Sequence, residues 1–263
     1  MQPNKKCQKK TSDSINVLVI GRSQVGKSTL IHVLANPHYE GSLATGMAET
    51  KECYSHKVLL TTNEDEYTVN IVDTPGLQEV RHDTEESRSN KQIQNLIATF
   101  LKHNIQTLNA VCFVSVAGKT HQNDMVIFNS LIDFLGPTYS SISMLILTHC
   151  DGFQNSRLDE FKEKLTSSEY DECKKVINYC KLGLYYHGAI NRDELETHND
   201  ENIRVRILNT KLEHIKPMRE ALAQKLIDCA NCSQPVDDLL TNLCSSHNND
   251  HTRKKLTRNC QLI

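Results

Sequence analysis

The sequence contains no tryptophan, and aromatic residues make up only 5% of its 263 positions. This scarcity suits an α/β protein with polar ends better than a β-sandwich. No apolar run reaches the roughly 18 residues of a membrane-spanning helix, and the polar, lysine-rich stretch Met1–Ser14 is unlike a secretory signal. We therefore expect the 10 cysteines to be reduced thiols of a protein of the cytosol or nucleus.

Charge of neither sign is in excess: 30 Lys and Arg residues face 32 Asp and Glu residues, a net charge of −2. This balance predicts no nucleic-acid partner. Basic residues gather at the two ends, however, in a leader over residues 1–13 and a tail over residues 246–263 that we expect to be flexible. Between them we expect a main domain over residues 14–195 and a helical extension over residues 196–245.

Apolar periodicity predicts strands that alternate with helices. The strands are predicted at Ile15–Ile20, Cys53–Thr61, Glu66–Asp73, Ala110–Val116, Ser143–Thr148 and, more weakly, Leu182–Tyr186. Helices are predicted from Lys27, between Thr84 and His103, over Met125–Leu135 and Val205–Ala230, and over Val236–Leu243. The alternation indicates an α/β fold with a mainly parallel sheet that has helices on both faces.

A phosphate-binding loop is predicted where the first strand meets the first helix. The residues Gly21 to Ser28 fit the pattern G-x-x-x-x-G-K-S, which presents backbone N–H groups and a helix N-terminus to phosphate oxygens. Lys27 would reach the outer phosphates and the Ser28 hydroxyl would bind Mg²⁺. We expect nucleotide contacts from Gly21, Arg22, Ser23, Gln24, Val25, Gly26, Lys27, Ser28 and Thr29.

Two further motifs follow strands. In the first, Asp73-Thr74-Pro75-Gly76, the carboxylate of Asp73 can hold Mg²⁺ and the N–H of Gly76 can contact a γ-phosphate. In the second, Thr148-His149-Cys150-Asp151, the carboxylate of Asp151 can accept hydrogen bonds from N1–H and the exocyclic amine of guanine. Adenine lacks that donor pair, so Asp151 favours GTP over ATP.

The order of these motifs, with Thr50 between the first two, resembles the translation-factor-related GTPases. Within them the chain is most similar to the AIG type, which includes the immunity-associated GIMAP proteins and is related to septins and chloroplast import receptors. The likeness covers roughly residues 15–191 and implies a P-loop G domain that binds GTP or GDP with Mg²⁺. It also implies nucleotide-dependent dimers through the face that carries the switch segments, which are expected near Thr50 and over residues 73–88.

The resemblance assigns further roles. Thr50 would be the switch threonine that closes on Mg²⁺, with Thr45 as a competing choice. Lys119 stands where the family carries an arginine, and His149 replaces the usual lysine of the guanine motif. The loop that contacts the edge of the base is expected at residues 186–191 and includes Asn191.

The hydrolytic machinery is weak in the sequence. A Ras-like G domain has a glutamine directly after the glycine of the second motif to orient the attacking water, whereas this chain has Leu77 there and Gln78 one residue later. We therefore predict slow GTP hydrolysis, with Lys27, Thr50, Gly76 and Lys119 as the catalytic candidates. A partner subunit would assist through Arg81, Arg88 or Lys119. One alternative is a GTP-loaded membrane scaffold that oligomerises without hydrolysis, and another is a P-loop ATPase.

The last four residues begin with Cys260 and form a C-a-a-X pattern, which predicts prenylation. The basic residues upstream would supply a second attraction to an anionic membrane on its cytosolic side. The set Cys229, Cys232, Cys244 and His247 has the spacing of a zinc site. Because Cys229 and Cys232 also continue a helix face, zinc stays a minor alternative.

Overall fold

Every residue of Ile15–Gly21 except Asn16 is buried, and the segment forms a central strand of the sheet. The structure is a computed structural model that describes residues 14–41, 50–62, 65–77, 88–118, 122–167 and 171–237. The main strands are β1 (Ile15–Gly21), β3 (Tyr54–Thr61), β4 (Glu66–Asp73), β6 (Ala110–Val116), β7 (Ser143–Thr148) and β8 (Leu184–Tyr186). Two-residue strands are β2 (Glu40–Gly41), β5 (Thr107–Leu108), β9 (Ile190–Asn191) and β10 (Gln234–Pro235).

The six main strands form one sheet in the order β3-β4-β1-β6-β7-β8. The β3–β4 pair is antiparallel, and every other neighbouring pair in this sheet is parallel. A parallel arrangement aligns the carboxyl ends of β1, β4, β6 and β7 along one edge, where ligands of open α/β sheets bind. The predicted α/β fold with a mainly parallel sheet is confirmed.

Helices cover both faces of the sheet. They are α1 (Lys27–Ala35), α2 (Asn90–Asn104), α3 (Gln122–Leu135), α4 (Asn155–Thr166), α5 (Asp171–Tyr179), α6 (Arg192–Glu196) and α7 (Glu201–Asp228). Side chains of β1 alternate between two hydrophobic clusters: Leu18 and Ile20 pack with α2 to α5, and Val17 and Val19 pack with α1 and α7. The strand is apolar on both sides because both of its faces are buried.

The long helix α7 contributes to the core of the sheet. Its residues Leu222, Leu226 and Ile227 lie in the same cluster as Val17 and Val19. A smaller cluster fixes the other half of α7 against α1, β9 and α6, and it consists of Val33, Ile190, Leu195, Leu212 and Ile215. Helix α7 is therefore packed against the α/β body from Ile207 to Ile227.

Several predicted helix ends need correction. Helix α7 begins at Glu201 and not at Val205, because the Asp200 side chain accepts a hydrogen bond from the Asn202 N–H and caps it. It ends at Asp228, before a short 3₁₀ turn. Helix α3 begins at Gln122, earlier than the predicted Met125.

Helix α2 begins later than the predicted Thr84. It starts at Asn90 behind a capping box formed by Ser89 and Gln92, while residues 78–87 lie outside the described part of the chain. The predicted helix Val236–Leu243 also falls mostly on residues outside it. Helices α4, α5 and α6 were absent from the sequence prediction.

Candidate nucleotide site

The loop between β1 and α1 folds into a backbone concavity. Gln24 has a φ of 63° and Gly26 a φ of 86°, and these left-handed conformations turn the chain sharply before the helix. Successive turns of this kind aim backbone N–H groups at a common point and create an anion-binding nest. Gly26, which precedes the first residue of α1, has no side chain that could cap the helix, and a helix N-terminus directs its first N–H groups at anionic ligands.

Lys27 lies inside this loop and is 6% exposed. Its Nζ donates to the carbonyl of Arg22 at 2.9 Å and lies 3.4 Å from that of Gly21. These contacts hold the ammonium group of Lys27 against the phosphate loop, where it could also contact a bound phosphate. The predicted role of Lys27 is compatible with this placement.

Three predicted Mg²⁺ ligands come together at the start of α1. The Ser28 hydroxyl donates to Oδ2 of Asp73 at 2.5 Å, and Oγ1 of Thr50 lies 3.3 Å from the same hydroxyl oxygen. Asp73 is 3% exposed, and its Oδ1 has no hydrogen-bond partner in the part of the chain that the structure describes. A buried carboxylate oxygen without a partner costs free energy unless a ligand satisfies it.

This oxygen set fits Mg²⁺, which prefers hard oxygen ligands. The position of Asp73 is fixed from the next residue, because the buried Thr74 hydroxyl donates to the carbonyl of Val19 at 2.8 Å. Thr45, the competing choice to Thr50, lies outside the described residues.

The segment that follows Asp73 lies against the phosphate loop. A Cβ added to Gly76 would lie 2.2 Å from Cα and 2.4 Å from the N of Ser23, so only glycine fits there. Leu77 then bonds the loop on both sides: its N–H donates to the carbonyl of Gly21, and its carbonyl accepts from the N–H of Ser23, each at 3.1 Å. The Leu77 side chain is fully buried in the cluster formed with α2 to α5.

Asp151 lies at the neighbouring part of the same sheet edge, beyond β7. Thr148, which ends β7, donates its hydroxyl to the carbonyl of Val25 at 2.7 Å and so joins this strand to the phosphate loop. His149 is exposed with a φ of 61°, and its Nδ1 lies 3.1 Å from the Thr148 hydroxyl. These contacts connect the predicted phosphate and base regions into one site.

The loop after β8 lies against the backbone of Asp151. A Cβ on Gly188 would lie 2.7 Å from the Asp151 Cβ and 2.8 Å from its Cα. The backbone of His187 is hydrogen-bonded to residues before the same turn: its N–H donates to the carbonyl of Leu147 at 2.8 Å, and its carbonyl accepts from the N–H of Cys150 at 3.0 Å. His187 is buried, its Nε2 has no partner among the described residues, and burial lowers its pKa to about 4.

Within that loop, the side chain of Asn191 is directed to another task. Its Oδ1 accepts from the N–H of Asp193 at 3.0 Å and caps α6. Gly188 of this loop approaches Asp151 closely, whereas the Asn191 side chain caps α6, so base contact by Asn191 stays a prediction.

Asp151 also forms an ion pair that the sequence analysis missed. Nζ of Lys211 in α7 lies 2.6 Å from Oδ2 of Asp151 and 2.6 Å from Oε2 of Glu194 in α6. No local pattern marks this contact, because 60 positions separate Lys211 from Asp151.

Several predicted residues lie outside the described part of the chain. They are Lys119, Gln78, Arg81, Cys244, His247 and Cys260. Arg88 is described, and its Nη1 donates to the carbonyl of Lys51, next to Thr50. Among the described residues no group of three or more His, Cys, Asp or Glu side chains could hold a metal ion, while two of the four predicted zinc ligands fall outside them.

With the fold and the site in place, comparison with known proteins identifies the family. Residues 15–184 match the model of the AIG1 family. The chain belongs to the AIG1 family. The predicted AIG-type resemblance is confirmed. None of the helices in the described ranges is long and apolar enough to cross a membrane.

Curated relatives of this AIG1 protein include GTP-binding proteins. It is 25% identical to the probable GTP-binding protein EngB of Campylobacter jejuni over 178 residues, 66% of this chain and 83% of the relative. It is 26% identical to translocase of chloroplast 33 of Arabidopsis thaliana over 175 residues, 65% of this chain and 54% of the translocase. It is 30% identical to GTPase Era of Stenotrophomonas maltophilia over 118 residues, 45% of this chain and 35% of Era.

Solved structures support the fold. A dimerisation-deficient mutant of the same Arabidopsis translocase superposes with a TM-score of 0.55 at 19% identity, covering 82% of this chain and 84% of that one. A structure of chloroplast translocon components whose GTPase activity depends on dimerisation gives a TM-score of 0.50 at 22% identity, covering 76% and 84%. The G-domain fold predicted for the AIG1 protein is thereby confirmed.

Proposed function

We propose that this AIG1-family protein binds GTP and GDP with Mg²⁺ and hydrolyses GTP slowly, as a membrane-associated switch. The observation that carries the proposal is the convergence of Ser28, Thr50 and Asp73, with the buried Oδ1 of Asp73 lacking a partner in the described part of the chain. It lies directly beside a phosphate-binding nest at the N-terminus of α1. Curated relatives described as GTP-binding proteins and GTPases support the same assignment.

The choice of guanine rests on Asp151. Its carboxylate follows β7 on the sheet edge that carries the phosphate loop, and it is joined to that loop through Thr148. A carboxylate accepts hydrogen bonds and donates none, so it suits the two adjacent donors of guanine and rejects the acceptor that adenine presents at N1. This preference distinguishes GTP from the ATP alternative.

The residues that would hold Mg²⁺ are Ser28, Thr50 and Asp73. The ion, when bound, neutralises charge on the phosphate oxygens. The Thr50 segment would be held while the γ-phosphate is present and released after hydrolysis, and this is the switch. Arg88, bonded to the carbonyl next to Thr50, would sense the same release.

Slow hydrolysis follows from Leu77. Its side chain is fully buried and apolar, and both of its backbone polar groups are bonded to the phosphate loop. It offers no group that could orient a water molecule, so we propose that a second subunit assists, as dimerisation does for the GTPase activity of the chloroplast translocon components. The same burial favours the scaffold alternative, in which GTP is bound and scarcely hydrolysed.

The decisive binding experiment is calorimetric titration with GDP and ADP. We expect GDP to bind at least about tenfold more tightly than ADP, because hydrogen bonds to a charged group contribute about 1.5–3 kcal/mol. Asp151→Asn should remove most of this preference, whereas Asp159→Asn, an exposed carboxylate on α4, should retain it. Equal affinity for ADP and GDP would support the ATPase instead.

Turnover is tested by phosphate release across protein concentration. A specific rate that rises with concentration would support hydrolysis assisted by dimers. No release at any concentration would remove the enzyme and leave the GTP-loaded scaffold.

Membrane association is proposed from the C-terminal pattern at Cys260 and the basic residues before it. Intact mass of protein made in prenylating cells is the test, with Cys260→Ser as the control. An unmodified Cys260 would refute the lipid anchor and leave nucleotide binding untouched.

A further inference from the structure

A lysine of the long helix α7 lies at the carboxylate that would recognise the base. Nζ of Lys211 lies 2.6 Å from Oδ2 of Asp151, and the second contact, to Oε2 of Glu194, has the same length. The Lys211 side chain is 13% exposed and that of Asp151 is 16% exposed, so solvent screens this pair much less than a surface ion pair. The contact joins α7 to the proposed guanine site.

The position of Lys211 is set by packing. Its neighbour Leu212 and the next turn's Ile215 are buried in the cluster that also contains Leu195 of α6 and Ile190 of β9. The buried residues adjoin the ion pair in the chain, because Leu212 follows Lys211 directly and Leu195 follows Glu194 directly. The packing of α7 therefore fixes the backbone of Lys211 close to Asp151 and Glu194.

The charges at this point favour a lasting contact. Burial alone lowers the pKa of Lys211, but the hydrogen bonds and charges of Asp151 and Glu194 outweigh it and raise that pKa above its usual value. The lysine therefore stays an ammonium at neutral pH. Without Lys211, the carboxylates of Asp151 and Glu194 would lose the ammonium group that both of them contact.

The contact leaves Asp151 able to bind a base. An ionised carboxylate has about four acceptor positions, and Lys211 is hydrogen-bonded to only one of the two Asp151 oxygens, Oδ2. Guanine brings two donors, N1–H and the 2-amino group, so all three donors can be accepted together. This acceptor count distinguishes a supporting role for Lys211 from competition with the base.

We propose that Lys211 is a positioning residue for guanine recognition, which fixes the Asp151 carboxylate and makes α7 part of the base site. It touches Asp151 and not the base, so its effect passes through that carboxylate. The proposal rests on the proposed binding of guanine nucleotides. It assigns to the helical extension a role in nucleotide specificity that acts through Asp151.

The first test compares variants on one helix by calorimetric titration with GDP. Lys211→Met removes the ammonium at nearly constant length, and Lys216→Met, at an exposed position five residues further along, is the matched control. We expect Lys211→Met to weaken GDP binding about tenfold, since charge-assisted hydrogen bonds are the strong ones. Lys216→Met should stay within about twofold of wild type, and Lys211→Arg, which keeps the charge, should recover most of the affinity.

The base itself supplies a second readout. Inosine diphosphate lacks the 2-amino group and forms one fewer hydrogen bond with Asp151. A misplaced carboxylate should therefore penalise GDP more than inosine diphosphate, and Lys211→Met should reduce the ratio of the two affinities. An equal loss for both nucleotides would indicate a general disturbance of the fold and would overturn the positioning role.

A double-mutant cycle tests whether Lys211 acts through Asp151. Asp151→Asn exchanges one acceptor for a donor and suits xanthosine diphosphate, which has a carbonyl in place of the 2-amino group. In that background Lys211→Met should change xanthosine diphosphate affinity by less than about twofold. A loss as large as that seen for GDP in the parent would overturn the proposal.

The remaining outcomes separate the two proposals. Tighter GDP binding by Lys211→Met would show that the lysine competes with the base, and unchanged binding would show that it has no role; either overturns the inference alone. Failure of the wild-type protein to bind GDP would instead overturn the proposed function. Thermal melting reports whether each variant is folded, and Lys211→Gln replaces Lys211→Met if the latter is not.

Discussion

Among the glycines that the structure describes with their surroundings, Gly76 has the least room for a side chain, and Gly76→Ala gives the sharpest stability prediction. A Cβ at this residue would lie 2.2 Å from Cα and 2.4 Å from N of Ser23, distances that no packed Cβ adopts. Both atoms belong to the backbone of the phosphate loop and cannot rotate away. Either that loop or the segment from Gly76 onward must therefore move.

The cost can be worked from the contacts that such a movement breaks. The two hydrogen bonds that join Leu77 to Gly21 and Ser23 are both backbone bonds of 3.1 Å, and each contributes about 1 kcal/mol. Displacement would also expose part of the Leu77 side chain, whose full burial contributes about 1.5–3 kcal/mol. We expect Gly76→Ala to lower the free energy of unfolding by about 2–4 kcal/mol.

Urea unfolding followed by circular dichroism measures this free energy. Gly152→Ala is the matched control, because a Cβ at Gly152 meets nothing within 4 Å, and its stability should stay within about 0.5 kcal/mol of wild type. If Gly76→Ala unfolds at the same urea concentration as Gly152→Ala, the close approach of Gly76 to the phosphate loop is wrong.

Three further predictions follow from the same surroundings. Gly188→Ala should push the loop away from Asp151, 2.7 Å from the added Cβ, and weaken GDP binding about tenfold in a calorimetric titration. His187, whose pKa burial lowers from 6.5 to about 4, is neutral in the folded chain, so stability should fall by roughly 3 kcal/mol as the pH drops through that interval. Iodoacetamide should alkylate the exposed Cys232 in the native protein and spare Cys150, whose pKa burial raises to about 12.

Each of these has a control and a contrary result. For Gly188 the control is Gly41→Ala, whose Cβ would make only ordinary contacts from 3.5 Å, and equal GDP affinity of the two variants would contradict the prediction. For His187, urea unfolding of His187→Gln should lose stability less steeply between pH 6.5 and 4, and an unchanged slope would assign the loss to other groups. For the thiols, peptide mapping before and after unfolding should reveal Cys150 only in the unfolded sample.

The sequence was sufficient for the parts of the site that are encoded locally. The phosphate loop lies within eight consecutive positions between a buried strand and a helix; β1 ends at Gly21, one residue past the predicted Ile20, and α1 begins at the predicted Lys27. Asp73 is the last residue of the alternating strand β4, and Asp151 follows the fully buried strand β7; a parallel sheet brings the carboxyl ends of its strands to one edge. Periodicity and motif spacing therefore predicted the sheet edge with Ser28 and Asp73 at it, whereas Thr50 was assigned from the resemblance to the AIG type, with Thr45 as the competing choice.

The contacts that depend on packing between distant segments were not accessible in this way. Leu77 was identified as a residue unable to orient water, but its two hydrogen bonds to the phosphate loop depend on the path of the chain after β4. Asn191 was assigned to the base from its place in a loop, whereas its side chain caps α6, a short helix that the periodicity did not predict. Side-chain direction within a loop is decided by neighbours that a linear pattern does not contain.

The position of α7 carries the largest consequence for how the protein works. Leu222 and Leu226 share a hydrophobic cluster with β1, and Lys211 contacts Asp151 from the same helix, so one element supports both the centre of the sheet and the proposed base site. A change in the packing of α7 would therefore alter the surroundings of Asp151. On our proposal, guanine recognition therefore depends on an element that lies outside the phosphate loop and is packed against the centre of the sheet.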